Sequence, residues 1–344
     1  MKRALAAALL VFVCAALAAL WSVRTAYRSF EGNLLVEIPR GSGTRAIAQL
    51  LTQKGVLRDP WGFLVLRAIR PSARLQAGEY EFREPSSAWE VFDRLARGDV
   101  HYYLVTIPEG SNLFDAARIV GKLGFITEEG FRAAASDPVL IRDLDPAAKT
   151  LEGYLFPSTY RLTRSSTAAQ LCRNMTEQFR QVWKKLGGSN ANETVTLASL
   201  VEKETGEGDE RAVVAGVFRN RLEQGIKLEC DPTTIYAALL EDRYRGKIYR
   251  SDLDSEHPYN TYQHTGLPPG PIANPGQASL AAALHPAKTD FLYFVAKPGS
   301  AGGHNFSRTL SEHSRAVAAY RNGQNHQAPS TGAAPRAGAT AAHR

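Results

Sequence analysis

The stretch Val36-Glu-Ile-Pro-Arg-Gly-Ser42 (VEIPRGS) returns as Val105-Thr-Ile-Pro-Glu-Gly-Ser111 (VTIPEGS). The register then runs on without a gap, Ala48 against Ala117 and Gly55 against Gly124. Each copy reads as a short strand, a turn set by Pro and Gly, and a Ser that caps an amphipathic helix. Gly55 and Gly124 stand where such helices close in the left-handed conformation, with Val56-Leu57 and Phe125-Ile126 behind them. The repeat therefore predicts β-turn-α units, each burying one helix face against a strand.

Outward from the first copy the pattern continues with a helix near Trp61 to Ala68, a strand over Gln76 to Phe82 and a third helix over Ser87 to Ala96. That makes a small α/β module of about 70 residues, within the usual domain range. Such a module serves either as a spacer or as a glycan-binding unit. The chain as a whole, 344 residues with 44% apolar and 22% charged side chains, has room for two or three domains and a sizeable core. Its net charge of +7 comes from scattered residues rather than a basic block, which argues against a nucleic-acid partner. Cys14, Cys172 and Cys230 have no metal-ligand spacing and form no disulfide framework, although a Cys172–Cys230 bridge is one reading.

Lys2-Arg3 precedes Ala4 to Val23, a run of twenty uncharged residues followed by Arg24 and Arg28. At 1.5 Å per residue such a helix spans roughly the 30 Å of a bilayer core. The segment reads as an uncleaved anchor, with Ala15 to Ala19 offering the competing reading of a removed signal peptide. Either reading exports the globular part. At the other end, residues 322–344 are rich in Ala, Gly, Ser, Thr and Pro, without apolar periodicity, and are expected to be disordered.

The chemistry points to Leu200-Val-Glu-Lys-Glu-Thr-Gly-Glu-Gly-Asp-Glu210, an acidic cluster closing the apolar run VTLASLV. On a helix Glu202 and Glu204 lie about 200° apart, so at most one faces a groove. Glu204 occupies the last turn, where the negative end of the helix dipole favours the protonated carboxyl, and Thr205 beside it offers a hydroxyl. A carboxylic acid kept protonated near neutral pH suits a general acid for glycosidic cleavage, whereas an ordinary Glu-Lys-Glu is solvated helix surface. Upstream, Leu151-Glu-Gly-Tyr-Leu-Phe-Pro-Ser-Thr-Tyr160 reads as an aromatic sugar-binding wall or a packing loop. Downstream come a helix over Val213 to Leu222, a turn and helix at Asp231-Pro232, and a long irregular stretch with Tyr259-Asn-Thr-Tyr262 and Gly266 to Ile272. A helix over Ser279 to Leu284, a strand over Phe291 to Ala296, a turn at Gly302 to Phe306 and a helix over Thr309 to Tyr320 complete the chain. His285, His304 and His313 lack metal-ligand context, so no metal is expected.

Taken in order, LVEKETGEGDERAVVAGVFRNRL, DPTTIY, YNTY, GLPPGPI, NPG, HPAKTDFLYFV and GGHNFSRT resemble the YceG-like family of MltG-type endolytic murein transglycosylases, over roughly Val36 to Tyr320. The resemblance implies an α+β fold with an N-terminal transmembrane helix, a small LysM-like α/β module and a mixed α+β catalytic domain. Mapped onto this chain, residues 1–28 hold a cytoplasmic stub and the anchor, and 29–103 the LysM-like module. Residues 104–150 form a second β-turn-α unit that joins to the catalytic domain at 151–321, with the tail at 322–344. It further implies a single-pass inner-membrane protein with its catalytic part in the periplasm. That part cleaves MurNAc-GlcNAc bonds inside nascent glycan strands, leaving 1,6-anhydroMurNAc ends and terminating elongation. The family's catalytic glutamate falls on Glu204, with Glu202 as fallback. The groove by the same resemblance includes Glu152, Tyr160, Thr205, Asp231, Tyr259, Asn260, Thr261 and Tyr262. Cys230 departs from the small polar residue expected before Asp231. Peptidoglycan strands, the inner membrane and cell-wall synthases are the implied partners, with no cofactor. The competing reading is a non-enzymatic, membrane-anchored glycan-binding scaffold of the wall-synthesis complex.

Overall fold

The computed structural model describes residues 2–297 and 303–325, an α+β architecture whose strands pair only in twos. The chain divides into two units. The first takes Met1–Leu104 with Arg161–Ser166, and the second takes Val105–Tyr160 with Thr167 onward.

The first unit opens with α1 (Lys2–Arg24), which buries Val23 but exposes Leu9, Leu10, Val11, Phe12, Leu17, Leu20 and Trp21. Among the described residues no helix is long and apolar enough to cross a membrane. Next come β1 (Leu34–Ile38), α2 (Thr44–Gln53), α3 (Trp61–Ile69), β2 (Gly78–Phe82) and α4 (Ala88–Arg97). β1 and β2 pair antiparallel with Val36 opposite Tyr80. The period-two alternation turns Val36 and Ile38 inward onto Ile47, Leu51, Phe63, Phe82, Phe92 and Leu95, which form the core of the unit. Ser87 and Glu90 make a reciprocal capping box at the start of α4. Gly55 has φ +74°, and a Cβ there would stand 2.8 Å from the Ser29 carbonyl, so this closing position requires glycine.

β3 (Tyr103–Thr106) opens the chain's second two-stranded sheet, and the unit boundary falls inside it and inside its partner. Then follow α5 (Leu113–Gly121), α6 (Glu128–Ala135), β4 (Thr159–Leu162), which pairs with β3, α7 (Ala168–Lys185) and α8 (Ala191–Glu204). The chain continues with α9 (Arg211–Glu223), α10 (Asp231–Leu240), the short α11 (Arg250–Leu253), α12 (Gln277–Leu284), β5 (Tyr293–Ala296), β6 (His304–Ser307) and α13 (Leu310–Asn325). α8 is the hub. Every residue from Thr194 to Val201 is buried, because α9, α10 and α12 pack around it. A helix covered on all faces must be apolar all round, which explains the unbroken VTLASLV. Its Ser199 hydroxyl donates to the Thr196 carbonyl at 2.7 Å and accepts from Ile272 N–H at 3.1 Å, fastening the irregular 259–276 stretch to the helix.

Several expectations need correction. The capping positions of the repeat lie one residue after the serines, at Gly43, which has no side chain to cap with, and at Asn112, which forms a capping box with Asp115. The turn expected at Gly302 to Phe306 is in its described part the strand β6, which pairs with β5 and sets Phe306 opposite Phe294. The apolar and aromatic side chains of the stretch 151–160 serve largely as packing: Leu151, Tyr154 and Leu155 are fully buried, and the Tyr154 hydroxyl donates to Asp145 at 2.7 Å, while Glu152 lines a cavity. All three cysteines are free, so no Cys172–Cys230 bridge forms. α13 runs to Asn325, past the expected end at Tyr320, and the remainder of the tail lies outside the described residues.

Candidate active site

α8 ends at Glu204 because Thr205 turns to extended backbone (φ −136°, ψ 132°). The last turn thus leaves the packed core with Glu202 and Glu204 on different faces, and the two carboxyls meet different surroundings. Glu202 accepts a hydrogen bond from Gly276 N–H at 2.8 Å and faces the Arg211 guanidinium at 3.8 Å, with 6% of its side chain exposed. A backbone donor and a cation hold it as a structural carboxylate.

Glu204 lies partly buried in a cavity of about 60 Å³, lined also by Phe218, Arg221, Leu228, Tyr293, Phe294 and His313. Burial pushes its carboxyl up to about 7. The Cys230 thiol, which donates to it, pulls the other way, the Asp231 charge adds to the rise, and Arg221 opposes it. The thiol itself is driven well up by burial and by the Glu204 charge. A carboxyl poised near 7 can give a proton and take one back.

The opposite side of Glu204 is built where α10 begins. Cys230 N–H donates to the Thr261 hydroxyl at 3.0 Å, and Asp231 accepts from the Tyr262 hydroxyl at 2.8 Å. Asn260, fully buried, donates to the carbonyls of Asp252, Leu253 and Ser255 and accepts from Tyr262 N–H. Asn260 and Thr261 are thereby the scaffold that presents Tyr262 and Asp231. The Thr205 hydroxyl accepts from Glu207 N–H at 3.0 Å, stabilising the turn after the helix. Tyr160 is buried with its hydroxyl on the Phe156 carbonyl, in the packing of the 151–160 segment.

Glu152 and Tyr259 stand apart from this cluster. Glu152 accepts from Leu113 N–H at 2.8 Å, the Tyr236 hydroxyl at 3.0 Å and the Asn274 amide at 3.1 Å. Its burial raises it to about 7 as well. With Tyr236 and Tyr259 it lines a second cavity of about 290 Å³, which shares no lining residue with that of Glu204. A further cavity, about 570 Å³, belongs to the first unit, and two of its arginines are already paired, Arg83 with Glu81 and Arg94 with Asp99.

Of the expected residues, then, Glu204, Asp231 and Tyr262 come together. Sequence reasoning missed Arg221, Tyr293 and the contact with Cys230. Arg221 donates to the carbonyls of Leu292, Lys227 and Leu228, and its guanidinium lies 5.0 Å from the Tyr293 ring, which His313 stacks on at 5.2 Å. An arginine standing at the apolar spacing of Val214, Val217 and Phe218 was the available signal for the first. The other two depend on segments far apart in sequence. Among the described residues no three His, Cys, Asp or Glu side chains converge as a metal site.

A family model described as the YceG-like family matches residues 36–319. An endolytic murein transglycosylase of Bacillus subtilis (strain 168) is 33% identical over 312 residues, covering 84% of this chain and 85% of that protein. One of Streptococcus pneumoniae serotype 2 (strain D39 / NCTC 7466) is 30% identical over 323 residues, so that 83% of this chain spans 58% of the pneumococcal protein. The crystal structure of a YceG-like protein from Listeria monocytogenes superposes with a TM-score of 0.54 at 31% identity, covering 83% of this chain and 99% of that one.

Proposed function

This chain belongs to the YceG-like family and is a peptidoglycan lytic transglycosylase, a lyase; from that premise we propose that Glu204 is its single catalytic acid and base. The observation that carries the reading is a carboxyl held near 7 by burial at the end of α8, beside Asp231, Tyr262 and Arg221. Protonated Glu204 donates to the oxygen linking N-acetylmuramic acid to the next N-acetylglucosamine, and the glycosidic C–O bond breaks. The carboxylate then takes the proton from the muramic C6 hydroxyl, whose oxygen bonds to C1 and closes the 1,6-anhydro ring. No water is consumed, and Glu204 ends protonated as it began. Two carboxyls are needed where water or an enzyme nucleophile attacks. An intramolecular nucleophile with high effective molarity removes that need and leaves the enzyme mainly to orient the ring. Glu202, committed to Gly276 and Arg211, is poorly placed to share the role.

Cleavage inside nascent strands, and so termination of their growth, completes the proposal. The uncharged run Ala4 to Val23, whose described apolar side chains are largely exposed, supports an inner-membrane anchor that carries the catalytic part in the periplasm near the wall synthases, although the described part of α1 alone is not long and apolar enough to cross a membrane. The β1–β2 unit with α2, α3 and α4 is its LysM-like module. Mass spectrometry of fragments released from purified sacculi tests the chemistry. Anhydro-ended products are expected from the wild type, with a loss of at least about 10³-fold in Glu204→Gln, the scale of removing a group acting as both acid and base. Hydrolysed reducing ends, or full cellular rescue by Glu204→Gln, would reassign the chain to a muramidase or to a scaffold respectively.

A further inference from the structure

We propose that the second cavity, lined by Glu152, Tyr236 and Tyr259, grips a sugar ring of the glycan strand away from the bond being cleaved. The proposal rests on reading this chain as a murein lytic transglycosylase and assigns a subsite to it. At about 290 Å³ the cavity is near the lower end of ligand pockets, sized for one ring rather than a chain. The rings of Tyr236 and Tyr259 meet at 5.1 Å with a 55° tilt, and Pro258, Pro269 and Pro271 complete the apolar walls. A pyranose presents C–H faces of that shape, and an aromatic face covers them well. The walls are rigid. Gly153, at φ +86°, has Pro271 so close that no Cβ would fit, and a Cβ on Gly270 would stand 3.2 Å from the Tyr259 hydroxyl.

The polar groups around these walls suit hydroxyls, which both donate and accept. His257 accepts Tyr259 N–H on Nδ1 at 3.2 Å. Burial lowers its pKa, so the ring is neutral with its proton on Nε2. Lys149 is exposed on the rim. The two carboxyl groups on the floor are engaged by neutral donors: Asp145 by Tyr154 and Asn192, Glu152 by Leu113, Tyr236 and Asn274. That environment favours a neutral polyhydroxylated ring over the ammonium or carboxylate groups of a peptide. α10 connects the two sites. Asp231 stands beside Glu204 at its first residue, and Tyr236 and Leu240 reach the second cavity roughly 8 to 14 Å further along the axis at 1.5 Å per residue. A ring held there lies away from the bond at Glu204, and the remote grip is available to promote the chemical step.

The test uses the full chain with Glu204→Gln, so that binding is read without turnover, and peptide-free murein tetrasaccharide and octasaccharide as probes in calorimetric titrations. Tyr259→Ala removes a wall. Leu240→Trp narrows the mouth from a position 42% exposed, where folding is not at risk. Each is expected to weaken octasaccharide binding at least about 10-fold and tetrasaccharide binding less than about 2-fold. With Glu204 intact, KM for long strands should rise by a similar factor in each variant. Unaltered octasaccharide affinity or equal loss on both probes would overturn the proposal. Hydrolysed ends from the wild type would defeat the lyase reading alone, because the titrations stand without it.

Discussion

Glu202 and Glu204 are separated by one lysine, yet their surroundings assign them opposite work. Their divergence was legible in the sequence, since two positions on a helix cannot share a face. The dipole and the apolar preceding turn also marked Glu204 as the one whose proton would be retained. What the sequence did not show is the thiol that meets it, because Cys230 reaches Glu204 only through the fold. The raised acid has two measurable consequences. Cleavage requires the protonated form, so the rate should fall as pH rises through about 7, and a pH profile of anhydro-product formation reads that limb directly. Stability should follow the same direction. Between about 4.5 and 7, Glu204 and Glu152 are protonated in the native chain and ionised when unfolded. The stability each contributes is therefore fully present below 4.5 and is lost as pH rises through 7, on the order of 3 kcal/mol per group. Urea denaturation at pH 5 and pH 8 should show that decline, with a smaller drop in Glu204→Gln.

Elements were easier to place than their partners. The helices α3, α4 and α10 fall where periodicity and caps put them, because local chemistry decides them: Ser87 with Glu90 on α4, Pro232 in the first turn of α10. β6 escaped notice because four residues, His304 to Ser307, become a strand only by pairing with β5. The same dependence on distant partners makes Arg221 a joint between elements. From α9 it ties the carbonyl that leads into β5 and two more ahead of α10, so both walls of the Glu204 cavity hang on one guanidinium. Arg221→Met should leave those carbonyls without a donor and cost about 2 to 4 kcal/mol in chemical denaturation. Arg221→Lys should recover only a fraction, since an ammonium cannot reproduce the planar fork.

On the scale of the molecule, the repeat that opens the sequence does not mark one domain. Its first copy lies in the first unit and its second, Val105 to Gly124, in the second, where Ser111 and Gly110 bond to Asn274. A shared local pattern is legible, but the surface it packs against is decided by contacts that sequence spacing does not encode. The exposed apolar residues of α1 define the remaining large-scale expectation. Removing residues 2–24 should move the protein from the membrane pellet to the supernatant on fractionation, while sacculus digestion by the purified remainder continues. One further consequence follows from the free cysteines. Burial drives Cys172 to about 12 and Cys230 well up, leaving both without reactive thiolate at neutral pH, whereas Cys14 stands exposed on α1. A maleimide dye offered to the folded chain therefore has one candidate address, and whether it reacts there reports whether that helix sits in water or in lipid, where no thiolate forms, without a single engineered substitution.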